Sequence, residues 1–471
     1  MEEPSAISLL PPLLAIALAI ISRQVVMSLT AGIWLGYCLL HSVNPLVGLA
    51  AAIDGIIGVF QDSGNTRVII FTLMVGGLLA TIEGSGGVKG FIALLENRRW
   101  VNSPKRAQFL AWFTGIVIFV ESNTTLLVAG TISRPLFDRF SISREKLAYL
   151  IDSTAAPICI LIPFNAWGAF NIGLISSTGA EAPLNLFLAT IPLNLYAIIA
   201  VTLAGLSIVI DRDIGPMREA EKRTRGGHKL WPNVTPMIDQ AVLEVGSDSS
   251  VTPRAANMIW PITALVFTLP IALWITGDGD IRQGSGSSSV LWAVICALAV
   301  SWACILMSGS HNVTELTQLF FKGAGGLLPV AVILLLSMAL GHIATNLQGG
   351  MYLASLIGES TSAAILLPLT FLVSGAIAFS MGTSWGTFAI MIPISLSIAT
   401  ALGLPPAPIL AAVLSGAIFG DHASPISDTT IVASMAAATD HIDHVRTQLP
   451  YALIAGGLST IGFIVMGLFI N

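Results

Sequence analysis

The chain has 471 residues, of which 21 are Lys or Arg and 26 are Asp or Glu, so that 10% are charged. A soluble domain carries roughly 25% charged residues. Here 54% of the residues are hydrophobic and the mean hydropathy is +0.84. This composition excludes a soluble fold. The net charge of −5 is small and indicates neither nucleic acid nor an acidic partner.

Apolar segments of membrane-spanning length follow one another along the chain. A helix needs about 20 apolar residues to cross a hydrocarbon core about 30 Å thick. The first segment follows an acidic start, which is the wrong charge for a cleaved secretory signal, so we expect it to remain as a span. The sequence predicts eleven crossings, near 7–22, 25–42, 46–60, 68–83, 147–175, 185–210, 257–276, 289–308, 326–342, 409–436 and 450–470.

Two further apolar segments, 107–133 and 362–402, are interrupted by polar residues at 121–125 and 382–387. Lys and Arg concentrate on the cytoplasmic side of a membrane. Basic residues flank the first segment at both ends, so the sequence predicts a re-entrant hairpin with both ends in the cytoplasm. This orientation places 18 of the 21 basic residues inside, and it makes the second segment a hairpin of the opposite sense.

The hydrophilic loop 211–256 carries 14 of the charged residues and divides the chain into two halves of similar pattern. Besides this loop we expect an extra N-terminal span, a first repeat and a second repeat, at 1–23, 24–210 and 257–471. Each repeat contains one hairpin and one broken span, 147–175 or 409–436. The predicted fold class is an all-α polytopic membrane protein with about eleven transmembrane helices and two inverted-topology repeats, which is typical of secondary transporters.

Polar residues interrupt both broken spans. Asp152 begins the sequence Asp-Ser-Thr-Ala-Ala-Pro in the first, and Asp421 begins Asp-His-Ala-Ser-Pro-Ile-Ser-Asp-Thr-Thr in the second. An Asp at the centre of a membrane helix costs about 2.5–3.5 kcal/mol on insertion scales, and unwound backbone is tolerated there only beside a cavity or inside protein. Carboxylate, hydroxyl and carbonyl oxygens together suit a hard cation such as Na⁺.

We therefore expect a hairpin turn and a broken span to form an oxygen-lined Na⁺ site in each half. The predicted Na⁺ ligands of the first half are Ser122, Asn123, Thr124, Asp152, Ser153 and Thr154. Those of the second half are Thr383, Ser384, Thr387, Asp421, Ser424, Ser427, Asp428 and Thr429. The carboxylates predicted to bind Na⁺ or a proton are Asp152, Asp421, Asp428 and Glu121. A single hydroxyl usually bonds to a carbonyl of its own helix, so the duplicated clusters carry this prediction.

His422 follows Asp421 and can either relay protons near neutral pH or hydrogen-bond a neighbour. The residues from Gly382 to Gly386 match the G-x-S-x-G pattern of hydrolases, but that motif needs a strand before its turn and here membrane-length apolar segments flank it. The sequence has no Walker A and no H-E-x-x-H motif. These observations predict a transporter driven by an ion gradient, with no enzymatic activity and no cofactor besides the coupling ion Na⁺.

Three motifs complete the sequence pattern. They are Ser143-Arg144-Glu145-Lys146-Leu147-Ala148-Tyr149 with the Asp152 motif, Gly382-Thr383-Ser384-Trp385-Gly386-Thr387, and Gly420 to Thr429. Together they resemble the NhaC family of Na⁺/H⁺ antiporters, in the ion transporter superfamily. The similar sodium/dicarboxylate symporters carry a Ser-Asn-Thr turn in each hairpin, and this chain has that tripeptide at Ser122. The resemblance implies a homodimer with elevator-like movement of a transport domain against a scaffold.

Two functions are predicted, and a channel ranks below both. The first is Na⁺/H⁺ exchange by competition at intramembrane carboxylates, because one carboxylate cannot hold a proton and Na⁺ together. The second is Na⁺-coupled transport of a small organic solute, a carboxylate or an amino acid. It stays open because the NhaC label also covers exchangers of organic acids, and because Val120-Glu121-Ser122 stands where many members have Asp-Asp-Tyr.

The predicted location is the bacterial cytoplasmic (inner) membrane. The N-terminus and loop 211–256 are expected in the cytoplasm and the C-terminus outside. The expected partners are Na⁺, H⁺, the lipid bilayer and a second copy of the chain, with no nucleic acid.

Overall fold

The computed structural model describes residues 6–22, 24–41, 44–96, 101–119, 122–163, 165–232, 252–279, 284–347, 352 and 362–470. Within these ranges all regular secondary structure is helical. This confirms the prediction of an all-α protein.

Before residue 211 the α-helices are α1 (Leu10–Ser22), α2 (Val25–Leu40), α3 (Pro45–Gly58), α4 (Ser63–Gly84), α5 (Gly87–Glu96), α6 (Pro104–Val117), α7 (Ser122–Arg139), α8 (Arg144–Asp152), α9 (Ala156–Leu161), α10 (Ala166–Ser177), α11 (Pro183–Thr190) and α12 (Leu195–Ile210). After it they are α13 (Gly215–Arg225), α14 (Ala256–Thr276), α15 (Gly286–Met307), α16 (Val313–Gly326), α17 (Leu328–Asn346), α18 (Ala363–Met381), α19 (Ser384–Ala401), α20 (Pro406–Ala423), α21 (Asp428–Ala437) and α22 (His441–Leu468). Short 3₁₀ helices occupy Ala6–Leu9, Val59–Gln61 and Ile191–Leu193.

Six of these helices are long and apolar enough to cross a membrane alone: α4, α14, α15, α18, α19 and α22. Five bent helix pairs also qualify when each counts as one span, so the described residues provide up to 11 spans. That total matches the predicted number, but it includes both arms of the second hairpin and joins α2 to α3 across a 117° bend. The particular crossings and the two inverted repeats therefore stay predictions.

The first broken span is interrupted twice. α8 ends at Asp152 and α9 begins at Ala156, with Pro157 in its first turn, where the missing N–H breaks no intrahelical bond. The helix ends again at Leu161, beyond the predicted break, and the helix that starts at Ala166 is inclined by 43°. Ile162 is extended there (φ −112°, ψ 117°) because the proline that follows excludes the helical conformation.

The second broken span is interrupted where it was expected. Ser424 is extended (φ −82°, ψ 132°) before Pro425, and α20 and α21 meet at 46°. The turn between α18 and α19 lies against this break. Gly382 in that turn has a left-handed φ of +68°, and a Cβ there would lie 2.5 Å from the Ile426 carbonyl oxygen. Only glycine therefore fits without strain.

Elements of the two halves pack against each other around the breaks. α21 packs on α7 and α8, and α22 packs on α8 and α12. The approach is close at Gly130, where a Cβ would lie 2.5 Å from the Cβ of Ala436. It is also close at Gly115, where a Cβ would lie 2.0 Å from the Thr154 hydroxyl. The first hairpin thus touches the broken spans of both halves.

The start of the loop between the halves is folded onto α8. Three side chains at the beginning of α8 hold partners in this loop: Ser143 with Glu221, Glu145 with Arg223, and Lys146 with Asp213. The Arg223 guanidinium donates two hydrogen bonds to Glu145, at 2.7 and 2.9 Å. Burial raises the pKa of the Glu221 carboxyl, which lies in α13 outside the apolar spans. The loop therefore fixes the end of α8 opposite to Asp152.

Candidate functional site

Asp421, at the end of α20, is buried between the starts of two other helices. Its Oδ2 accepts hydrogen bonds from the backbone N and the hydroxyl of Ser384, in the first turn of α19, at 3.3 and 2.7 Å. Its Oδ1 accepts a bond of 2.6 Å from the hydroxyl of Ser427, the N-cap of α21. Helix N-termini carry partial positive charge, so this position favours a negative group.

Other predicted residues of the second half adjoin this carboxylate. The Thr429 hydroxyl lies 3.0 Å from Ser427 Oγ and donates to it, because Ser427 gives its own proton to Asp421. Ser424 donates to the Phe379 carbonyl at 2.7 Å and ties the break to α18. The second hairpin and the second broken span therefore meet at Asp421.

Two predicted residues of this half lie differently. Thr387 donates to the Thr383 carbonyl of its own helix turn at 3.2 Å, the usual bond of a helical hydroxyl. Asp428 is exposed in the first turn of α21, where an acidic side chain complements the helix dipole, and its Oδ1 accepts the Thr429 amide at 2.9 Å.

Asp152 is only 1% exposed, and its hydrogen-bond donors Thr430 and Gln448 come from the other half of the chain. Its Oδ2 accepts hydrogen bonds from the Gln448 amide at 2.7 Å and from the Thr430 hydroxyl at 3.3 Å. Its Oδ1 has no hydrogen-bond partner among the described residues. A buried oxygen in this condition is costly unless it binds a proton or a cation.

The first hairpin turn begins α7, which packs on α8. Ser122 is buried at this position. Asn123 Oδ1 is buried and lacks a partner within the described ranges, so it is a second oxygen available to a cation. Glu121 and the side chain of Thr124 fall outside the described residues.

Ser153 and Thr154 follow Asp152 in the break. Thr154 donates to the Leu150 carbonyl at 2.8 Å, within its own helix. Ser153 Oγ lies 3.3 Å from Nε2 of His422, and the Tyr196 hydroxyl lies 2.7 Å from Nδ1 of the same ring. Neutral hydroxyls thus occupy both nitrogens of His422, whose Nε2 is 4.0 Å from Asp152 Oδ2.

Several residues of this region were absent from the predicted site: Thr430, Tyr196, His444 and Gln448. The sequence contains a signal for two of them, because His441, His444 and Gln448 are spaced by three and four residues and share one face of a helix. The last span was expected to start at 450, but α22 starts at His441, so the predicted boundary left this polar face in a loop.

Asn165 is a further contributor, at the second interruption of the first broken span. Its amide donates to the carbonyls of Phe119 and Cys159, both at 2.9 Å, and its Oδ1 caps α10 at the Gly168 amide. Phe119 leads into the first hairpin turn. Asn165 therefore ties that turn to the broken span, and its position after a proline is the signal in the sequence.

The two buried carboxylates lie in one region, since the Gln448 amide donates both to Asp152 and to the carbonyl of His422, the residue after Asp421. Among the described residues neither carboxylate forms an ion pair with Lys or Arg. Two like charges in a low-dielectric region repel strongly, and a proton or a bound cation relieves that repulsion. The arrangement is therefore suited to binding one small cation at a time in addition to its hydrogen bonds.

Residues 158–468 match the model of the Na⁺/H⁺ antiporter family, which is more than half of the chain. The chain belongs to this family. The match confirms the resemblance seen in the motifs, and it includes Asp421 but begins after Asp152. The protein is therefore an integral membrane protein and a sodium/proton antiporter or a related transporter.

The chain is also similar to known proteins in sequence and in fold. The chain is 34% identical to an uncharacterized protein of Haemophilus influenzae, over 98% of this chain and 90% of that protein. It is 33% identical to the malate-2H⁺/Na⁺-lactate antiporter of Bacillus subtilis, over 36% of this chain and 37% of that protein. The fold is similar to that of the YdaH transporter of Alcanivorax borkumensis, with a TM-score of 0.58 and 15% identity, over 89% of this chain and 88% of that one.

Proposed function

We propose that the protein exchanges Na⁺ for H⁺ across a bacterial inner membrane. Family membership supports Na⁺ and H⁺ as the exchanged ions, and the composition and apolar helices support the membrane location. The N-terminus and loop 211–256 face the cytoplasm in this proposal, following the distribution of basic residues. The protein works as a homodimer with elevator-like movement, as the family resemblance implies.

The observation that carries the proposal is the buried Asp152 with one oxygen lacking a partner among the described residues. Asp152 takes up the proton. Na⁺ binds beside Asp421, with oxygens of Ser427 and Thr429 and of the second hairpin turn. Because Gln448 joins Asp152 to the residue after Asp421 in this buried region, a cation bound at one carboxylate disfavours a cation at the other. The site then crosses the membrane with either H⁺ or Na⁺, whereas its uncompensated charge opposes movement when it is empty.

Proteoliposomes with a pH-sensitive dye inside test this proposal. A Na⁺ gradient should move protons in the opposite direction with the wild type, and Asp152→Asn should abolish that movement. Na⁺ should still raise the Tm of Asp152→Asn, since ligand binding stabilises the folded state by RT ln(1 + [L]/Kd). Asp421→Asn should lose this Na⁺-dependent rise. Identical shifts with Na⁺ and K⁺ in the wild type would contradict the Na⁺ site.

A coupled organic solute is the second candidate. It is favoured by the similarity to the malate-2H⁺/Na⁺-lactate antiporter, although that match covers 36% of this chain. The same proteoliposomes, supplied with carboxylates and amino acids, separate the two candidates. If a Na⁺ gradient moved no protons between about pH 6 and pH 9 and instead drove solute uptake, the second candidate would replace the first.

A further inference from the structure

A chain of hydrogen bonds runs along the start of α22 towards Asp152. His441 Nδ1 lies 3.0 Å from Ser434 Oγ, and the same hydroxyl oxygen lies 2.9 Å from His444 Nδ1. His444 Nε2 lies 2.8 Å from Gln448 Oε1 and 4.0 Å from Asp152 Oδ2. His441, Ser434 and His444 belong neither to the family motifs nor to the predicted Na⁺ ligands.

Both ends of this chain are hydrogen-bond acceptors. His441 Nε2 lies 2.5 Å from the Pro425 carbonyl oxygen, which only accepts. At the other end the Gln448 amide nitrogen donates both to Asp152 Oδ2 and to the His422 carbonyl, each at 2.7 Å. The orientation of the Gln448 amide is thereby fixed, and its Oε1 must accept from His444.

The number of protons in the chain follows from this geometry. The four links join the Pro425 carbonyl, His441, Ser434, His444 and the Gln448 carbonyl, and each link needs one proton. Two neutral imidazoles and one hydroxyl supply three. One of the four hydrogen bonds therefore lacks its proton. An additional proton completes the series of hydrogen bonds. Ser434 can also donate to the Thr430 carbonyl at 2.8 Å, which interrupts the chain at its middle.

The two ends of this chain of hydrogen bonds differ in their access to water. His441 is partly exposed at the start of α22, beside Asp440 and Asp443 of its own segment. His444 is fully buried and faces Asp152 of α8 and His422 of α20. On the orientation proposed above, the start of α22 is cytoplasmic. The chain thus connects the cytoplasmic surface with the buried carboxylate.

We propose that His441, Ser434 and His444 conduct protons between the cytoplasm and Asp152. The inference rests on the proposed Na⁺/H⁺ exchange and names its proton path. A proton from water forms an N–H bond at His441 Nε2 while the proton on His441 Nδ1 passes to Ser434 Oγ, and the former hydroxyl proton of Ser434 passes to His444 Nδ1. The N–H bond at His444 Nε2 then breaks and, through one water that bridges the 4.0 Å to Asp152 Oδ2, an O–H bond forms on Asp152. His422 is not part of this path, because Tyr196 and Ser153 occupy its nitrogens.

The test uses the full-length protein in proteoliposomes with two measurements. The first is proton movement driven by a Na⁺ gradient. The second is exchange of ²²Na⁺ for Na⁺ at equal concentrations, which needs no proton transfer and also reports folding. The variants are Ser434→Ala and His441→Gln. Their controls are Ser459→Ala, which removes a buried hydroxyl bonded to its own helix, and His311→Gln, which removes an imidazole at the start of a different helix.

Proton movement should fall about a hundredfold or more in both variants, the usual size of a lost proton-transfer group, while Na⁺/Na⁺ exchange stays within about twofold of the wild type. Added imidazole buffer should restore part of the loss in His441→Gln. Unchanged proton movement would overturn the path, and so would an equal fall in both measurements, since a structural role lowers both. A wild type that exchanges Na⁺ but moves no protons would instead refute the proposed function itself, and the path with it.

Discussion

Asp152 and Asp421 each lie at the end of a helix before a break, but their surroundings differ. Asp421 is bound by Ser384 and Ser427, both from its own half and 37 and 6 residues away in the sequence. Asp152 is bound by Thr430 and Gln448, which are 278 and 296 residues away. Asp421 is thus hydrogen-bonded within its own half, whereas Asp152 is hydrogen-bonded to the other half. Repeated motifs therefore do not imply equivalent sites.

The difference extends to hydrogen-bond saturation. Three donors converge on Asp421, whereas Asp152 Oδ1 has no partner in the described part of the chain. Three donors hold Asp421 as a fixed, ionised ligand beside which Na⁺ can bind, whereas the oxygen of Asp152 without a partner can take up the proton. The following experiments test this division of roles, from the largest expected effect to the smallest.

Asp421→Asn should have the largest effect on stability. The amide cannot accept all three hydrogen bonds, and each bond to a charged group contributes about 1.5–3 kcal/mol, so the free energy of unfolding should fall by about 3 kcal/mol or more. Thermal melting in detergent measures the change. Asp278→Asn, at an exposed position, is the control and should melt within about 1 °C of the wild type. A small effect at Asp421 would remove the contrast with Asp152.

Gln448→Ala should come next. It leaves Asp152 Oδ2, the His422 carbonyl and His444 Nε2 without the partner that joins them, at a cost of about 2–3 kcal/mol. The two halves should then separate more easily, which proteolysis of the purified protein can follow. Thr460→Ala on the same helix removes only a bond to the Gly456 carbonyl and serves as the control. Equal rates of proteolysis in both variants would show that the contacts at Asp152 do not hold the two halves together.

Gly382→Ala tests the contact between the second hairpin turn and the second break. The left-handed φ costs an alanine about 1–2 kcal/mol, and the added Cβ also meets the Ile426 carbonyl. Gly403→Ala is a matched control, because Gly403 has a φ of +65° and nothing within 4 Å of the added Cβ. Gly382→Ala should be the less stable of the two and should bind Na⁺ more weakly. Equal Tm values would show that the close contact between the turn and Ile426 does not affect stability.

Glu221→Gln should have the smallest effect, through the base of the Asp152 helix. Burial raises the pKa of Glu221 above 4.5, so its stabilising contribution is complete below that pH and is lost as the pH rises through the pKa in the folded state. The Tm of the wild type should therefore fall relative to that of Glu221→Gln between pH 4.5 and neutrality. Glu219→Gln, at an exposed neighbour, should follow the wild type.

Much of the fold could be predicted because it depends on local chemistry. Apolar segment length identified the helices, and Pro157 and Pro425 marked the interruptions beside the two carboxylates. The contact of Ser384 with Asp421 followed from pairing a hairpin turn with the next broken span. Contacts between neighbouring elements can be predicted in this way. Few arrangements of two connected elements keep the polar residues of both away from the lipid.

The partners of Asp152 could not be predicted in the same way. Thr430 and Gln448 meet it only because α21 and α22 cross onto α8, and no pattern in either segment specifies that approach. The start of α22 was also misplaced by nine residues, since polar side chains such as His444 were read as a loop. Their burial depends on tertiary contacts, which overrule a hydropathy pattern.

Trp167 and Trp385 lie on α10 and α19, one in each half, with ring centroids 4.9 Å apart and planes inclined by 51°. Two indoles at this separation interact as a pair. Their electronic transitions couple, so the near-ultraviolet circular dichroism of the protein should contain a signal that depends on both rings and disappears in Trp385→Phe. This signal therefore reports on the distance between the two halves without an attached dye, and it can be measured while Na⁺ is added.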